Sequence, residues 1–317
     1  SALAWTANAT HALNQALHGL LRPGDHVVTS SLEHNAVMRP LRALEARGVR
    51  VTVAPGKMDG TIDLAALRQA CAGPTRLLVT THASNVTGAI TPVADVADIA
   101  RRAGALYLLD AAQTAGTVPF SVDRLGVDVV AVTGHKGLMG PTGTGAIYVR
   151  PGLDLEPLMQ GGTGSESARE WHPAFMPDHL EAGTVNVAGL AGLGAALAFL
   201  SAIGVGGIRA HEQRLVARML DAVAAIPSVR CVGPTAEARC GLVACAVTGA
   251  DSSEVSLVLE RDFGIMTRAG LHCAPAAHRT VGTFPSGLVR FSFGWFNTID
   301  HVDACVDALR RIVSWTA

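Results

Sequence analysis

Along the first half of the chain the apolar positions keep changing period, from recurrence every three to four residues to short continuous runs and back. This pattern predicts helices over residues 12–21, 35–47, 63–71 and 92–104, alternating with strands over 26–30, 50–54, 76–81, 105–109, 127–133 and 145–149. Asn8 and Thr10 are candidate N-caps for the first helix, and Pro92 is a natural first-turn residue for the fourth. Strands that are apolar throughout, set between amphipathic helices, indicate a largely parallel sheet covered on both faces. The second half has a different texture. Helices over 188–200 and 209–225 precede strands over 229–232 and 242–247, a helix over 253–262, an extended piece over 265–268, a strand over 288–293 and a final helix over 300–314. The expected architecture is α/β, with a large domain over 1–200 and a smaller α+β domain over 201–317.

In open parallel sheets ligands sit beyond the carboxyl ends of the strands. Four strand ends carry candidate chemistry: Ser30 to His34, His82 to Asn85, Asp110 to Gln113, and Thr133 to Lys136.

Composition narrows the possibilities. A chain of 317 residues, 49% apolar and 16% charged, with a mean hydropathy of +0.32, can bury a large core. A formal net charge of −1, without a Lys/Arg cluster, gives no footprint for nucleic acid. The six cysteines show no C-x-x-C pair and no zinc spacing, as expected of reduced, cytoplasmic thiols and a protein without a metal centre. No basic segment followed by an apolar run at the start supports a secretory signal. Residues 182–208 form an uncharged run long enough to cross a bilayer, but its seven glycines and missing aromatic belt favour a buried helix over a membrane span.

Lysine is the rarest basic residue here. Only Lys57 and Lys136 occur among 25 basic side chains, and Lys136 directly follows an apolar strand. A lysine amine, once its pKa is lowered, forms a Schiff base, which arginine cannot do. Asp110 ends the preceding strand, 26 residues earlier, so both fall on one sheet edge. Alone, Asp110 reads as a turn cap; beside a Schiff-base lysine it reads as the carboxylate that keeps a pyridoxal ring nitrogen protonated. The helix opening at Asn8-Ala9-Thr10 offers backbone N–H groups to a phosphate, with Thr133 and His135 flanking the lysine. Neither glycine-rich nucleotide signature is present, which argues against an NTPase or a dehydrogenase. His34 is either an incidental loop histidine or an imidazole that stacks on a cofactor ring and exchanges protons. Cys273 is either an inert thiol or a nucleophile whose pKa is lowered by Arg268 and His272, close in sequence.

Taken in order, Asn8-Ala-Thr10, Leu32-Glu-His34-Asn, His82-Ala-Ser-Asn85-Val-Thr-Gly88, Asp110-Ala-Ala-Gln113, Thr133-Gly-His135-Lys136, Gly140-Pro-Thr-Gly143, Glu181-Ala-Gly-Thr184-Val-Asn186, Arg268-Ala-Gly-Leu-His-Cys273 and the stretch from Arg290 to Asn297 resemble the cysteine desulfurase family. That family is a class V aminotransferase-like branch of the fold type I pyridoxal phosphate enzymes. The resemblance runs over essentially the whole chain. It implies that Lys136 carries the cofactor and shuttles the substrate α-proton, Asp110 pairs with the pyridine nitrogen, Gln113 bonds the phenolic oxygen and His34 stacks on the ring. It gives Ala9, Thr10, Thr133 and His135 the phosphate, with Thr184 arriving from a second subunit of a homodimer. Asn85 and Arg290 would hold the carboxylate of L-cysteine, with Arg268 beside them, and Cys273 would take the sulfur as a persulfide.

The segment around Cys273 is similar to the sulfur-mobilisation and selenocysteine lyase branch, which implies a sulfur-acceptor protein as partner. Other class V reactions are the alternative: a selenocysteine lyase, a C–S lyase or an aminotransferase. Family members carry several dozen residues ahead of the Asn8 motif, an arm that packs on the small domain and shapes the substrate entrance. The chain here starts almost at that motif: either the sequence is a fragment, or the arm is absent and the pocket more open, which leaves a catalytically impaired scaffold as the remaining alternative.

Overall fold

The computed structural model describes residues 2–316. Its first part runs β1 (Leu3–Thr6), α1 (Ala9–Leu20), β2 (His26–Ser30), α2 (Asn35–Glu45), β3 (Arg50–Ala54), α3 (Leu64–Ala70), β4 (Leu77–Thr81), α4 (Val93–Arg102), β5 (Leu106–Asp110), α5 (Val122–Leu125), β6 (Val129–Thr133) and β7 (Gly145–Val149). These strands form one seven-stranded sheet in the order β1-β7-β6-β5-β4-β2-β3. Strands β6, β5, β4, β2 and β3 are mutually parallel, while β7 runs antiparallel to both its neighbours. Alternate residues feed the two faces. Val27, Leu77, Val79, Leu108 and Val129 pack with α1 and α2, and Val28, Leu78, Tyr107, Leu109 and Val130 pack with α3 and α4. Burial on both faces explains why these strands read as unbroken apolar runs.

The second part contains α6 (Val187–Ile203), α7 (Val205–Val223), β8 (Val229–Val232), β9 (Leu242–Val247), α8 (Ser252–Phe263), β10 (Arg268–Gly270), α9 (Pro275–Thr280), β11 (Leu288–Ser292) and α10 (Ile299–Thr316). Its four strands form an antiparallel sheet ordered β10-β11-β9-β8. One face packs on α7, α8 and α10 through Cys245, Val289, Phe291, Met219 and Leu309. The opposite face sends Ala244 and Leu288 into the core of the large sheet, which locks the two sheets together.

Several expectations need correction. Strand β1 lies ahead of the first predicted element, and its four residues pair with β7 through tertiary contact that local periodicity does not record. Helix α7 starts at Val205, because Gly206 and Gly207 lie inside its first turn where glycine signals a break. The short helices α5 and α9 were not anticipated, and the extended piece over 265–268 is displaced to Arg268–Gly270, where pairing with β11 fixes it. The largest correction concerns the apolar run over 182–208. Its helix α6 is not buried in this chain: only Gly189, Leu193 and Leu200 are, while Val187, Leu197 and Phe199 are exposed. The helix is apolar all round, so one chain has no second surface with which to cover it. Among the described residues no single helix is long and apolar enough to cross a membrane; α6 and α7 pass that test only together, and they are bent by 78°.

Candidate active site

The carboxyl ends of β2, β4, β5 and β6 converge on a cavity of about 260 Å³ whose wall includes Asn8, Ala9, Thr10, His34, Asn85, Asp110, Gln113, Thr133, His135 and Lys136. Lys136 and Gln113 also line a second cavity of about 350 Å³, which Arg290, Glu212, Cys240 and Trp295 complete. The two cavities therefore meet at the lysine.

At the floor, Asp110 ends β5 and is 4% exposed, with one oxygen accepting from the Ala112 N–H at 2.9 Å. Burial raises its pKa, against the opposing pull of that hydrogen bond and of Lys136. The adjacent parallel strand β6, in register at Asp110–Ala131, delivers Thr133 and, three residues on, Lys136. Lys136 has a large accessible area because it is cavity wall, yet the protein around its amine lowers its pKa. Desolvation is the main cause, helped by Arg290 and opposed by Asp110, Cys240 and Cys273. Two glycines set its depth. A Cβ on Gly116, which has φ +87°, would meet the Gly137 carbonyl oxygen at 2.3 Å, and one on Gly137 would meet the Ala115 oxygen at 2.6 Å. The turn after β5 and the backbone after Lys136 thus pack directly against each other.

The roof is the N-terminus of α1. Asn8 caps it, accepting from the His11 N–H at 3.0 Å, so the N–H groups of the first turn point toward the cavity with the positive end of the helix dipole. Thr133 Oγ1 and His135 Nδ1 lie 3.0 Å apart on the opposite wall. His34 is itself a helix cap: its Nδ1 accepts from the Ala36 N–H at 2.9 Å, which leaves the proton on Nε2. Burial, with Lys136, Arg39 and Arg290 nearby, lowers its pKa to about 4, so the ring is neutral near pH 7.

Cys273 stands on a turn in which both His272 and Cys273 take positive φ, +50° and +57°. Its side chain is exposed. The turn is tied to the cavity mouth by Asn35 N–H donating to the Cys273 carbonyl at 2.7 Å and by Asn85 Nδ2 donating to the His272 carbonyl at 2.6 Å. Arg290 Nη1 donates to the Asn85 carbonyl at 3.0 Å, while its Nε is buried without a hydrogen-bond partner. A buried, unpaired guanidinium N–H beside an amine is what an incoming carboxylate would satisfy.

Three sequence expectations fare differently. Arg268 is exposed on β10, directly opposite Arg290 of β11, and borders neither cavity; its carbonyl accepts from His272 Nε2 at 3.0 Å. Thr184 is exposed and lines a separate cavity with Trp5, His11 and Asn186, so this chain does not bring it to its own lysine. His272 is not the cation that would activate Cys273. Its Nε2 donates to Arg268, its Nδ1 faces His278 Nε2 at 3.2 Å, and burial lowers its pKa to about 4. Lys136 and Arg290 are the cations whose own pKa values a charge on Cys273 would raise.

Sequence reading missed two buried acids. Glu33 is fully buried behind Asp110 and held neutral by a pKa raised to about 8; Glu212 lines the second cavity with a pKa raised to about 7. Glu33 lies inside the Leu32-Glu33-His34-Asn35 motif, but nothing local shows that its side chain points into the core.

The donor set fits pyridoxal phosphate: a desolvated amine, a buried carboxylate opposite it and a helix N-terminus share one cavity. The family model for aminotransferase class-V matches residues 1–305. A probable cysteine desulfurase from Methanothermobacter thermautotrophicus is 34% identical over 98% of this chain and 79% of its own length. A cysteine desulfurase from Escherichia coli O127:H6 is 36% identical over 92% of this chain and 72% of its own. Among solved structures, the apo cysteine desulfurase from Thermococcus onnurineus superposes with a TM-score of 0.93 at 31% identity, covering 99% of this chain and 80% of that one. The S-sulfonic acid form of the cysteine desulfurase CsdA from Escherichia coli gives 0.88 at 31%, covering 99% and 79%. This chain therefore belongs to the aminotransferase class-V family, with the fold of its cysteine desulfurases.

Proposed function

We propose that the protein is a pyridoxal phosphate-dependent cysteine desulfurase that converts L-cysteine to L-alanine and leaves a persulfide on Cys273. One observation carries the reading: the turn bearing Cys273 is hydrogen-bonded to the cavity that holds Lys136 and Asp110, through Asn35 and Asn85. An aminotransferase has no use for an exposed thiol at that mouth.

Pyridoxal phosphate, when bound, supplies an electron sink that acidifies Cα and weakens the Cβ–S bond of the substrate. The chain does the rest. Asp110 would keep a ring nitrogen protonated by charge pairing, and the first turn of α1 with Thr133 and His135 would receive the phosphate. Gln113 would hydrogen-bond the phenolic oxygen, and His34, fixed by its capping bond, would meet the ring as a neutral imidazole. Arg290 Nε and Asn85 hold the substrate carboxylate. Lys136, with its lowered pKa, would take up and return the substrate α-proton. The Cys273 thiolate attacks the substrate sulfur, and the Cβ–S electron pair stays on carbon, which takes a proton to finish alanine.

The exposed apolar surface of α6, with Val187, Leu197 and Phe199, supports a homodimer in which Thr184 serves the partner's cofactor rather than its own. The exposure of Cys273 supports transfer of the persulfide to an acceptor protein. A domain division near residue 200, between α6 and α7, and a cytoplasmic setting belong to the same proposal.

The test is product analysis with L-cysteine on cofactor-loaded protein. Equal yields of alanine and releasable sulfur, both lost in Lys136→Ala, are expected. Pyruvate and ammonia in place of alanine would instead identify a C–S lyase.

A further inference from the structure

The six cysteines look scattered along the chain, but the fold brings two of them into contact. Cys231 of β8 and Cys245 of β9 are direct cross-strand partners, and their sulfur atoms lie 2.7 Å apart. The ladder shows which kind of pair this is. Thr248 N–H donates to the Ser228 carbonyl at 2.8 Å, one step beyond the paired Val229 and Val247. That makes Ser228–Thr248 a hydrogen-bonded pair, and strict alternation makes Cys231–Cys245 a non-hydrogen-bonded one. In such pairs the Cα atoms stand about 4.5 Å apart with side chains drawn together, inside the ~4.4–6.8 Å that a disulfide spans.

The two thiols are not equivalent. β8 is the edge strand of its sheet and Cys231 is half-buried, whereas Cys245 is 0% exposed within the core formed with α7, α8 and α10. The contact with Cys245, with help from Arg239, lowers the Cys231 pKa, while the same contact and burial hold Cys245 well above the usual thiol range. A half-buried thiol on an edge strand in contact with a fully buried second thiol is the arrangement of an attacking and a resolving cysteine.

We propose that Cys231 and Cys245 form a reversible cross-strand disulfide when the protein meets a low-molecular-weight disulfide such as oxidised glutathione. The Cys231 thiolate attacks one sulfur of the small disulfide, forms a mixed disulfide and expels a thiolate. Cys245 gives up its proton, attacks the Cys231 sulfur and expels the second thiolate. The protein dithiol loses two electrons and two protons, and the small disulfide gains both to become two thiols. The new bond closes the segment between β8 and β9. That segment docks on the loop after β4 through the Ala89–Arg239 bridge, the Ile90 N–H to Ala238 and the Cys240 N–H to Gly88. Oxidation thus fastens the edge strand and stiffens the support beneath the loop that carries Asn85.

The test treats the holoenzyme with oxidised glutathione, blocks free thiols and maps the digest. The expected product is a protein lighter by two hydrogens, with the peptide that starts at Cys231 joined to the one containing Cys245, fragmentation distinguishing Cys245 from Cys240. Dithiothreitol should reverse it, and Cys273→Ala should retain it. Cys231→Ala and Cys245→Ala should each lose it; Cys231→Ala, at the half-buried position, remains informative if the buried replacement folds poorly. An upward shift of a few degrees in the melting midpoint should accompany oxidation. A stable glutathione adduct on Cys231, a link to Cys240 instead, or oxidation confined to Cys273 would overturn the proposal.

Discussion

Gly145, at the start of β7, faces the cap of α1 so closely that a single methyl group tests how the phosphate seat is built. A Cβ there would stand 2.7 Å from the Cα of Asn8, 2.8 Å from the Val132 carbonyl oxygen and 2.9 Å from the Asn8 carbonyl carbon. All three are backbone atoms, so no flexible side chain can move aside. Carbon atoms rest about 3.5–4.0 Å apart, and Gly145→Ala must therefore displace Asn8 from β6 and β7 by roughly 1 Å. Overpacking of this kind costs about 1–3 kcal/mol of folding stability. The larger effect falls on the ligand. A shift of about 1 Å breaks a hydrogen bond of ordinary length, and a bond to a charged group is worth about 1.5–3 kcal/mol. Pyridoxal phosphate affinity should then fall about 10- to 150-fold, at 1.4 kcal/mol per tenfold. The assay is cofactor titration of apoprotein, followed by absorbance, beside Gly73→Ala, whose Cβ meets nothing within 4 Å. Affinity within twofold of the unmodified protein, with stability reduced, would refute the role given to the first turn of α1.

Arg290→Lys keeps the charge but removes the unpaired Nε, so KM for L-cysteine should rise about tenfold to a hundredfold, with cofactor absorbance unchanged. Cys273→Ala should bind cofactor normally and lose sulfur transfer to an acceptor, checked by persulfide labelling. Leu197→Glu places a charge on the exposed face of α6 and should shift the dimer–monomer balance toward monomer in sedimentation, with little change in secondary structure. Glu33 binds its proton up to about pH 8 when folded and releases it near 4.5 when unfolded, so its contribution to stability is complete below 4.5 and is lost as pH rises to 8. Glu33→Gln should flatten that decline in denaturant titrations across this range. Buried His82, His272 and His278 behave oppositely: their pKa values near 4 mean stability is full above 6.5 and falls as pH drops toward 4.

The residue pattern alone records the alternation of strands and helices, because burial on both faces writes an apolar run and a covering helix writes a stripe. It also marked Lys136, Asp110 and the Asn8 cap, since each stands at a strand end or helix start with a chemically specific side chain. Side-chain direction and nonlocal pairing were decided only by the tertiary structure. Glu33 and His34 are neighbours in the chain, yet one enters the core and the other caps a helix at the cavity wall. His272, next to Cys273 in sequence, turns away into a neutral pair with His278, while the amine of Lys136, from the other half of the chain, is the one whose pKa a charge on Cys273 raises. Cys231 and Cys245 met only because β8 and β9 pair in one register, and α6 lay exposed because nothing in a single chain remained to cover it. Periodicity records which environment a residue prefers; contact between distant residues depends on register and packing, which no local window contains.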